Sequence, residues 1–434
     1  MGTVEPGRRL TAGVHRHPGF RRLWVANLCN ETGNQFAVLA LSVTAVVVLD
    51  ATPLQVGILT ALGHAAYLVL GIPVGVWVDR GPKRPILVAA DVVRGVAVLT
   101  VPIAYWAGAL TVWQLMAVAA VMSAATVFSD TAHTAILPPL VGRSRVSEAS
   151  ARLQTTDSTM QVVGPSLGGV LLTRAAAPVL YVITSVAALV SALLTATIRL
   201  DEPPPAHRER EPFGRSVASG VRFVARQPAL RTYMLTSAVN NLGAGMFMAT
   251  ATVFVLRDLE MGPAAYALAG AVGATGGIVG SLAGLRVRRR LGEIRTMVAC
   301  YHLRPLAFLT LPAAVITSVP AVALLAVSDF AFGFLTVVSS ISSTGVRARV
   351  TPHHLMARVS AASRFVTLGM IPVGAVLGGW LATVFPRAGV LVAAAAVAAL
   401  AAPIILASPL RPHRDVPREW EEAAEREDQL RPEG

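Results

Sequence analysis

Long apolar segments recur along the whole chain, and short polar segments separate them. Most apolar segments hold about 20 residues, which is the length that an α-helix needs to cross a bilayer. The pattern therefore predicts an all-α membrane protein with twelve transmembrane helices. The predicted spans are Leu23–Leu49, Leu54–Val78, Pro85–Tyr105, Val112–Ala132, Thr156–Leu172, Val179–Ile198, Tyr233–Leu256, Ala264–Leu285, Met297–Ile316, Val319–Ser339, Ala361–Val384 and Gly389–Leu406.

The composition agrees with this class. The chain has 434 residues, of which 54% are hydrophobic and 14% are charged, whereas soluble proteins carry about a quarter charged residues. In a soluble chain the net charge of +13 would suggest nucleic-acid binding. Here the arginines lie in short loops, so the positive-inside rule explains the charge and no nucleic-acid partner is expected. The two cysteines, Cys29 and Cys300, fall in apolar segments, so neither a disulfide nor a metal site is expected.

The distribution of basic residues predicts the orientation. An even number of spans puts both termini on one side, and the first 22 residues are basic and lack a signal-peptide pattern. With the termini in the cytoplasm, only Arg174, Arg257 and Arg387 among the loop arginines next to the spans fall outside. The preference for Arg over Lys is typical of a GC-rich bacterial genome. We therefore expect a multi-pass protein of the bacterial cytoplasmic membrane with both termini inside.

The chain is predicted to divide into five parts. A cytoplasmic segment (1–22) precedes a six-helix half (23–198), a cytoplasmic linker (199–231), a second six-helix half (232–408) and a cytoplasmic tail (409–434). The linker has three consecutive prolines and mixed charge, with a short amphipathic helix expected around Val217 to Val224. The tail is charged and is expected to be mobile, with no function assigned.

The two halves repeat each other at an offset of 209 or 210 residues. Each match is weak alone, but five matches at nearly one offset on equivalent helices indicate a duplicated unit. The halves are therefore expected in parallel orientation around an axis along the membrane normal. The matching pairs are Asn30–Gly33 with Asn240–Gly243, Pro53 with Pro263, Gly71 and Gly75 with Gly280 and Gly284, Arg94 with Arg304, and Gly168 and Gly169 with Gly378 and Gly379.

One charged motif joins the second and third spans, from Gly75 to Arg84. Its Asp79 falls at the C-terminal end of a helix, where the helix dipole disfavours an anion. That acid needs a positive partner, for which Arg80, Lys83, Arg84 or the N-terminus of another helix are candidates. A plain basic connector would explain the cations but would leave Gly75 and Asp79 without a role.

Two six-helix halves, a basic middle loop and this motif resemble the major facilitator superfamily, over essentially the whole chain. Pro82 departs from the family motif, which usually has Gly, and Arg288 takes the place of Asp79 in the second half. Within the superfamily the chain is similar to bacterial drug and siderophore exporters of the macrolide efflux type. That closer resemblance rests on Gly33-Asn34-Gln35, Asp91-x-x-Arg94 and Gly164-Pro165-x-x-Gly168-Gly169. The group more often has Asp at position 34.

The resemblance implies two sets of moving parts. The family's conformational switch would comprise the motif and an acid at the end of the fourth span, and its hinge would lie in the fifth span. Ordinary packing of small residues is the alternative for the hinge glycines. The switch residues are Gly75, Asp79, Arg80, Lys83, Arg84 and Asp130, and the hinge residues are Gly164, Pro165, Gly168 and Gly169.

Two acids within the spans are candidates for proton coupling. Glu31 lies in the first span and shares a helical face with Asn27 and Asn34, while Asp329 lies in the tenth span. The family places both spans on its central cavity. Charged groups in a bilayer are costly and are functional hypotheses by default, and burial favours the neutral form of an acid. The alternative is a neutral structural acid that is hydrogen-bonded between helices.

Other polar or flexible side chains are candidates for the substrate cavity: Asn27, Asn34, His64, Asn240, Asn241 and Met246. A satisfied core histidine and a lipid-facing methionine are the alternatives for His64 and Met246. Asp91 is expected to pair with Arg94 or with another neighbour, whereas Arg304 has Tyr301 in place of the equivalent acid. The fourth span lacks the arginine that many drug antiporters have between positions equivalent to Leu115 and Asp130.

The function expected from these features is secondary active export of amphipathic small molecules by proton antiport and alternating access. The alternative is export of a siderophore or another natural product by the same fold; import is a third possibility. The chain lacks a His-Glu-x-x-His motif, a Gly-x-Ser-Gly motif with a partner His, and a nucleotide-binding loop, so neither an intramembrane enzyme nor an ATP-driven pump is expected. The expected partners are the substrate, protons and lipid, with no cofactor and a monomeric state.

Overall fold

A computed structural model describes residues 17–142, 145–174, 177–200, 222–352 and 355–429. Within these ranges the chain is helical and holds no strand, which confirms the all-α class. Twelve helical passages run back and forth, and a short helix follows them. They are α1 (Pro18–Val48), α2 (Pro53–Val69 and Gly71–Arg80), α3 (Lys83–Trp106), α4 (Val112–Val141), α5 (Val146–Arg174), α6 (Pro178–Ala196), α7 (Pro228–Asp258), α8 (Pro263–Leu291), α9 (Glu293–Thr310), α10 (Ala321–Val350), α11 (Met356–Leu368 and Met370–Val384), α12 (Arg387–Ala399 and Ala401–Leu406) and α13 (Arg418–Gln429).

Ten helices in the described ranges are long and apolar enough to cross a membrane. The two remaining passages differ for separate reasons: α2 is interrupted after Val69, and the first half of α5 carries charged and hydroxyl side chains. Several helices also extend beyond the predicted spans. Helix α5 begins at Val146 rather than Thr156, and α10 continues to Val350 rather than ending at Ser339. Hydropathy marks only the apolar part of a helix, whereas backbone hydrogen bonding continues into its polar ends.

Short connections join consecutive helices within each half, so the helix ends form two faces of the bundle. We call the face with the α1–α2 and α7–α8 turns the upper face, and the face with Pro18 and the α2–α3 turn the lower face. The sequence repeat between the two halves is also visible in the backbone conformation at the upper face. Helices α1 and α7 each end in a π-helical turn, at Thr44–Val48 and Phe254–Asp258, and Asp50 and Glu260 follow them with φ of 48° and 49°.

Close backbone approaches join the two halves along α2 with α11 and α5 with α8. A Cβ atom on Gly57 would lie 2.5 Å from the carbonyl oxygen of Ala375, and one on Gly379 would lie 2.7 Å from that of Pro53. A Cβ atom on Gly169 of α5 would lie 2.8 Å from the Cβ atom of Ala267 in α8. Small residues therefore set how closely the halves can pack.

Charged and apolar contacts hold the halves together near the upper face. The guanidinium of Arg257 in α7 lies 2.6 Å from a carboxylate oxygen of Asp50 and donates to the carbonyl oxygen of Val46 at 3.1 Å. One apolar cluster also combines residues of the first half with Val253 and Leu256 of α7 and Ala267 of α8. The structure therefore has its halves joined at the upper face.

Helices α2 and α11 are both interrupted, and the interruptions lie side by side. Helix α2 breaks at Leu70, and α11 breaks at Gly369, where a Cβ atom would lie 2.6 Å from Cδ1 of Leu68. The hydropathy pattern predicted two continuous spans at these places. The breaks separate the upper parts of both helices, which form the contact between the halves, from their lower parts.

The predictions for the linker and for the tail compare differently with the structure. The amphipathic helix expected around Val217 to Val224 lies mostly outside the described residues. Residues 222–226, which the structure does describe, are helical. The prediction of a mobile tail is wrong for the described part. Leu410 is fully buried and Val416 is 6% exposed, both in a cluster with residues of α7, α9, α10 and α12.

Candidate functional site

Three acids from α1, α4 and α5 lie at a similar height in the first half. At 1.5 Å per residue, Glu31 is about 20 Å from the start of α1 at Pro18, and Asp157 and Asp130 are each about 17 Å from the lower ends of α5 and α4. Glu31 interacts electrostatically with both other acids and with Arg94. We call Glu31, Asp130 and Asp157 the acid cluster.

Hydrogen bonds tie the acid cluster to neighbouring helices. The side-chain amide of Asn27 donates to a carboxylate oxygen of Asp157 at 2.7 Å, and the hydroxyl of Tyr67 in α2 donates to Asp130. Asp130 is exposed although it lies well inside α4. Its hydrogen-bond partner Tyr67 comes from α2, and Glu31, with which it interacts electrostatically, comes from α1, so Asp130 lies between three helices. Asn34, which is half-buried, lies one turn above Glu31 on the same helix.

Asp157 is the member of the cluster that sequence reasoning did not single out. It is the second residue of the predicted fifth span, where an acid is typical of the membrane interface. Because α5 begins ten residues earlier, at Val146, Asp157 instead lies three turns inside the helix. The polar face of α1, formed by Asn27, Glu31 and Asn34, could have indicated Asp157, because buried polar side chains need polar partners on the helix that packs against them.

The position of Asp130 also differs from the prediction. The predicted fourth span ends at Ala132 and puts Asp130 at its cytoplasmic end, but α4 continues to Val141. The polar residues Asp130 to Thr134 ended the predicted span, although the backbone stays helical through them. Asp130 is therefore coupled to Glu31 and Asp157 in the interior of the first half.

Arg94 is buried and pairs with neighbours other than Asp91. It is 2% exposed and donates to the side-chain oxygen of Asn30 and, at 3.2 Å, to the hydroxyl of Thr126. Asp91 accepts a hydrogen bond from Ser191 of α6 at 2.7 Å. Asp91 and Arg94 thus hydrogen-bond to other neighbours, and they also interact electrostatically with each other.

The second half repeats this arrangement around Arg304. Its guanidinium is buried, donates to the side-chain oxygen of Asn240 and to Ser339 at 3.1 Å, and lies over the rings of Tyr301 and Phe332. Asn240 matches Asn30, and Arg304 matches Arg94, at the offset of 210 residues. Each half thus has a buried arginine–asparagine pair that joins its first and third helices.

The Arg304 pair gives a prediction for stability. Arg304→Met should lower the apparent melting temperature of the detergent-solubilised protein, because Asn240 and Ser339 lose their donor, at about 1.5–3 kcal/mol for each hydrogen bond to a charged group. Thermal unfolding followed by size-exclusion chromatography measures the shift. Arg286→Met is the matched control, since Arg286 is exposed and, among the described residues, donates only to the carbonyl oxygen of Leu282 in its own helix. Equal melting temperatures for both variants would contradict the role of the pair.

The other cavity candidates of the second half lie in packed surroundings. Asn240 is fully buried, Met246 is 1% exposed within an apolar cluster, and Asn241 donates to the carbonyl oxygen of Thr367 in α11 at 2.8 Å. In the first half, a ring nitrogen of His64 lies 3.0 Å from the carbonyl oxygen of Thr60. His64 therefore has a hydrogen-bond partner on its own helix. This agrees with the alternative that His64 is a structural histidine whose hydrogen bonds are made within the protein.

Asp329 occupies a different place from the acid cluster. It is half-buried between α10 and α8, about 12 Å along α10 from its upper end. A Cβ atom on Gly273 would clash with the Cβ atom of Asp329, and the carboxylate interacts electrostatically with Tyr266. Glu31 and Asp329 therefore lie on different helix pairs in different halves.

The switch motif begins in the lower segment of α2 and ends at the start of α3. Trp77 stacks on Phe128 of α4 at 6.0 Å between ring centroids, and Arg84 donates to the carbonyl oxygen of Ile198 at 3.0 Å. Lys83 is half-buried. The side chains of Asp79 and Arg80 lie outside the described part of the structure. A Cβ atom on Gly75 would meet no other group within 4 Å, so packing in this conformation does not require glycine there.

The hinge motif lies where α5 packs against α1 and α8. A Cβ atom on Gly164 would lie 2.6 Å from that of Gln35, and one on Gly168 would lie 2.8 Å from Cδ2 of Leu39. Gly169 faces α8 of the other half, and Pro165 lies within the helix. These small residues bring α5 close to α1 and to α8. A hinge and ordinary packing of small residues would each require this closeness, so the two interpretations of the motif both stay open.

Comparisons with known proteins agree with this architecture. Residues 23–367 match the family model of the Major Facilitator Superfamily. Macrolide efflux protein A of Streptococcus pyogenes is 24% identical over 200 residues, which are 46% of this chain and 49% of that protein. The chain thus spans about half the length of that relative. Multidrug efflux pump Tap of Mycobacterium tuberculosis is 26% identical over 320 residues, covering 70% of this chain and 73% of the pump.

Solved transporter structures share the fold at low sequence identity. A bacterial homologue of the iron transporter ferroportin in an inward-facing state has a TM-score of 0.68 at 13% identity, covering 89% of this chain and 98% of that one. A bacterial homologue of the human lysosomal transporter Spinster, inward-facing and unoccupied, has a TM-score of 0.65 at 13% identity, covering 95% and 98%.

Proposed function

Because the chain belongs to the major facilitator superfamily, we propose that it exports amphipathic small molecules, including drugs, across the bacterial cytoplasmic membrane in exchange for protons. The observation that carries this proposal is the acid cluster of Glu31, Asp130 and Asp157. It lies deep in the first half, where α1, α4 and α5 meet, and occurs in a structure whose halves are joined at the upper face. The efflux proteins among the relatives support the direction of transport.

The acid cluster is suited to exchange a proton for a substrate. Carboxylates close to one another repel, so binding of a proton or of a cation to one of them relieves that repulsion. A substrate with a positive charge that enters beside Glu31 favours loss of that proton, and a proton from outside later displaces the substrate. One proton that moves inward through about 100 mV supplies about 2.3 kcal/mol, enough for a roughly fifty-fold substrate gradient.

Alternating access requires the upper contacts to separate. The Asp50–Arg257 ion pair, the apolar cluster around Leu256 and the contact of α2 with α11 near Gly57 would open, while the halves pivot on the contact of α5 with α8. The adjacent breaks at Leu70 and Gly369 allow the lower parts of α2 and α11 to move separately from their upper parts. In this scheme the lower face is the cytoplasmic one.

This orientation gives a labelling prediction. Cysteines introduced at Ala107 or Ser318, which are exposed at the upper face, should react with a membrane-impermeant maleimide added to intact cells. A cysteine at Gly142, which is exposed at the lower face, should react only after the cells are permeabilised. Labelling in the reverse pattern would contradict the orientation and, with it, the cytoplasmic placing of the lower face.

Counterflow in proteoliposomes tests the proposed function. Vesicles that contain the purified protein are loaded with an unlabelled macrolide, a lipophilic organic cation or a siderophore, and uptake of the same labelled compound from outside is followed. Counterflow of the macrolide or of the organic cation would support drug export. Counterflow of the siderophore alone would favour the natural-product alternative, and no counterflow with any of them would contradict the proposal.

A further inference from the structure

The lower part of α8 has one packed face and one exposed face. Gly280 and Gly284 lie on the packed face, against α10. A Cβ atom on Gly280 would lie 3.0 Å from the carbonyl oxygen of Phe334, and one on Gly284 would lie 2.8 Å from Cδ1 of Ile341. On the opposite side, exposed side chains recur at spacings of three and four residues and therefore share one face. We call this face the arginine–leucine face: Leu282, Leu285, Arg286 and Arg289.

This face changes from apolar to basic within two turns. Leu282 is 68% exposed and Leu285 is 49% exposed, and the exposed Ile278 and Val279 continue the apolar surface towards the upper face. Helix α8 is one of those long and apolar enough to cross a membrane. Lipid chains cover exposed apolar side chains of such a helix, and arginines near its end extend to the headgroups. Arg286 and Arg289 therefore lie where the chains give way to the headgroups of the leaflet at the lower face.

The described acids near this end of α8 already bind other groups. Buried Glu293 lies 2.9 Å from Arg288 and 3.6 Å from Arg349, and Glu421 lies 3.3 Å from Arg349. The carboxylate of Asp415 accepts from the backbone N–H of Glu293 at 2.9 Å. Four exposed arginines of α8 and the start of α9 form no ion pair with a described acid: Arg286, Arg289, Arg290 and Arg295. The end of α8 thus has positive charge that the described part of the protein does not balance.

The arrangement of these groups fits a phosphate that is attached to apolar chains. Arg286 and Arg289 are one turn apart, so both guanidinium groups can reach one phosphate, which guanidinium binds with paired hydrogen bonds. Arg286 donates to the carbonyl oxygen of Leu282 at 3.4 Å, so its guanidinium lies over the turn that carries that leucine. A free phosphate ion would contact the arginines and leave the leucines exposed, whereas a phospholipid contacts both.

We propose that the arginine–leucine face binds an anionic phospholipid of the leaflet at the lower face. The lipid phosphate lies between Arg286 and Arg289, and the acyl chains lie along Leu282 and Leu285. The bound lipid balances the charge of the arginines and holds the end of α8 at the membrane surface. This site is separate from the acid cluster and does not depend on what the protein transports.

The test counts the lipids that the purified protein binds in detergent, by native mass spectrometry. Dioleoyl phosphatidylglycerol is added in one titration, and dioleoyl phosphatidylcholine, which has the same chains and no net charge, in another. The wild type should bind the anionic lipid about tenfold more tightly than the neutral one. Arg286→Gln with Arg289→Gln should remove most of this preference and leave the binding of phosphatidylcholine unchanged, because only the anionic headgroup depends on the two guanidinium groups.

Arg222→Gln with Arg226→Gln is the matched control. These two arginines are also exposed and lie just before the lower end of α7, but Val224 between them is buried. The control variant loses the same charge and should keep the preference for phosphatidylglycerol. An equal loss in both double variants would show that the arginines attract anionic lipids only in a general way, without a site. No loss in either variant would also overturn the proposal.

A third variant distinguishes a lipid from other occupants. Leu282→Asn with Leu285→Asn should weaken the binding of phosphatidylglycerol about threefold or more, and an equal concentration of inorganic phosphate should not displace the lipid from the wild type. Unchanged binding by this variant, or displacement by phosphate, would indicate a site for a phosphate ion only. A wild-type dimer that the Arg286→Gln, Arg289→Gln variant does not form would identify a second copy as the occupant and overturn the proposal. The measurement requires neither a substrate nor a proton gradient, so its outcome is separate from that of the export proposal.

Discussion

Glu31→Gln is expected to lower export driven by a pH gradient about tenfold or more while substrate binding persists. Glutamine keeps the size and polarity of the side chain but can neither release nor take up a proton. The effect arises in the acid cluster, where Glu31 interacts with Asp157 and Asp130. Export is followed in vesicles with an imposed pH gradient, and binding is measured separately by equilibrium dialysis of the purified protein.

Three further variants show whether the effect is specific to this carboxyl group. Glu260→Gln makes the same chemical change in the exposed turn between α7 and α8 and should leave export unchanged. Asp157→Asn should reduce coupling, because Asp157 shares the cluster, and Asp329→Asn should reduce it less than Glu31→Gln does. Undiminished pH-driven export by the Glu31→Gln, Asp329→Asn double variant would exclude both residues from coupling.

Gly57→Ala is expected to reduce transport about tenfold or more, because it separates α2 from α11. The added Cβ atom would lie 2.5 Å from the carbonyl oxygen of Ala375 and 3.0 Å from Cα of Gly379, and neither backbone atom can move without its helix. The halves would then not close fully at the upper face. Transport in proteoliposomes and the distance between labels at Ala107 and Ser318 measure the two effects.

A second glycine of the same helix provides the control. A Cβ atom on Gly63 would meet no other group within 4 Å, so Gly63→Ala should transport normally. Both substitutions change the helix propensity equally, and only Gly57→Ala creates a clash. If both variants transport at the wild-type rate, the contact between α2 and α11 is not needed for closure.

Much of the fold could be predicted from the chain alone, because a bilayer allows few solutions. Apolar segments of about 20 residues indicate helices, and the five matches at one offset indicate two similar halves. The same offset relates the Arg94–Asn30 and Arg304–Asn240 pairs. The repeat could have suggested the partner of Arg304, because Asn30 and Asn240 were already matched in sequence.

Features that depend on contacts between distant segments could not be predicted. Asp157 belongs to the acid cluster only because α5 begins at Val146 and packs against Asn27 of α1. The tail was expected to be mobile from its charge, whereas its Asp415 and Glu421 bind groups of α9 and α10. Hydropathy describes each segment separately and carries no information about which charges meet.

Proton release on substrate binding tests the central claim, that substrate and proton compete at Glu31, most directly. The purified protein in detergent is mixed with a lipophilic organic cation in weakly buffered solution, and a pH indicator reports the released protons. The proposal predicts about one proton for each bound cation near neutral pH, and none for a Glu31→Gln variant that still binds the cation. Equal release by the wild type and the variant, or binding without release by the wild type, would contradict it.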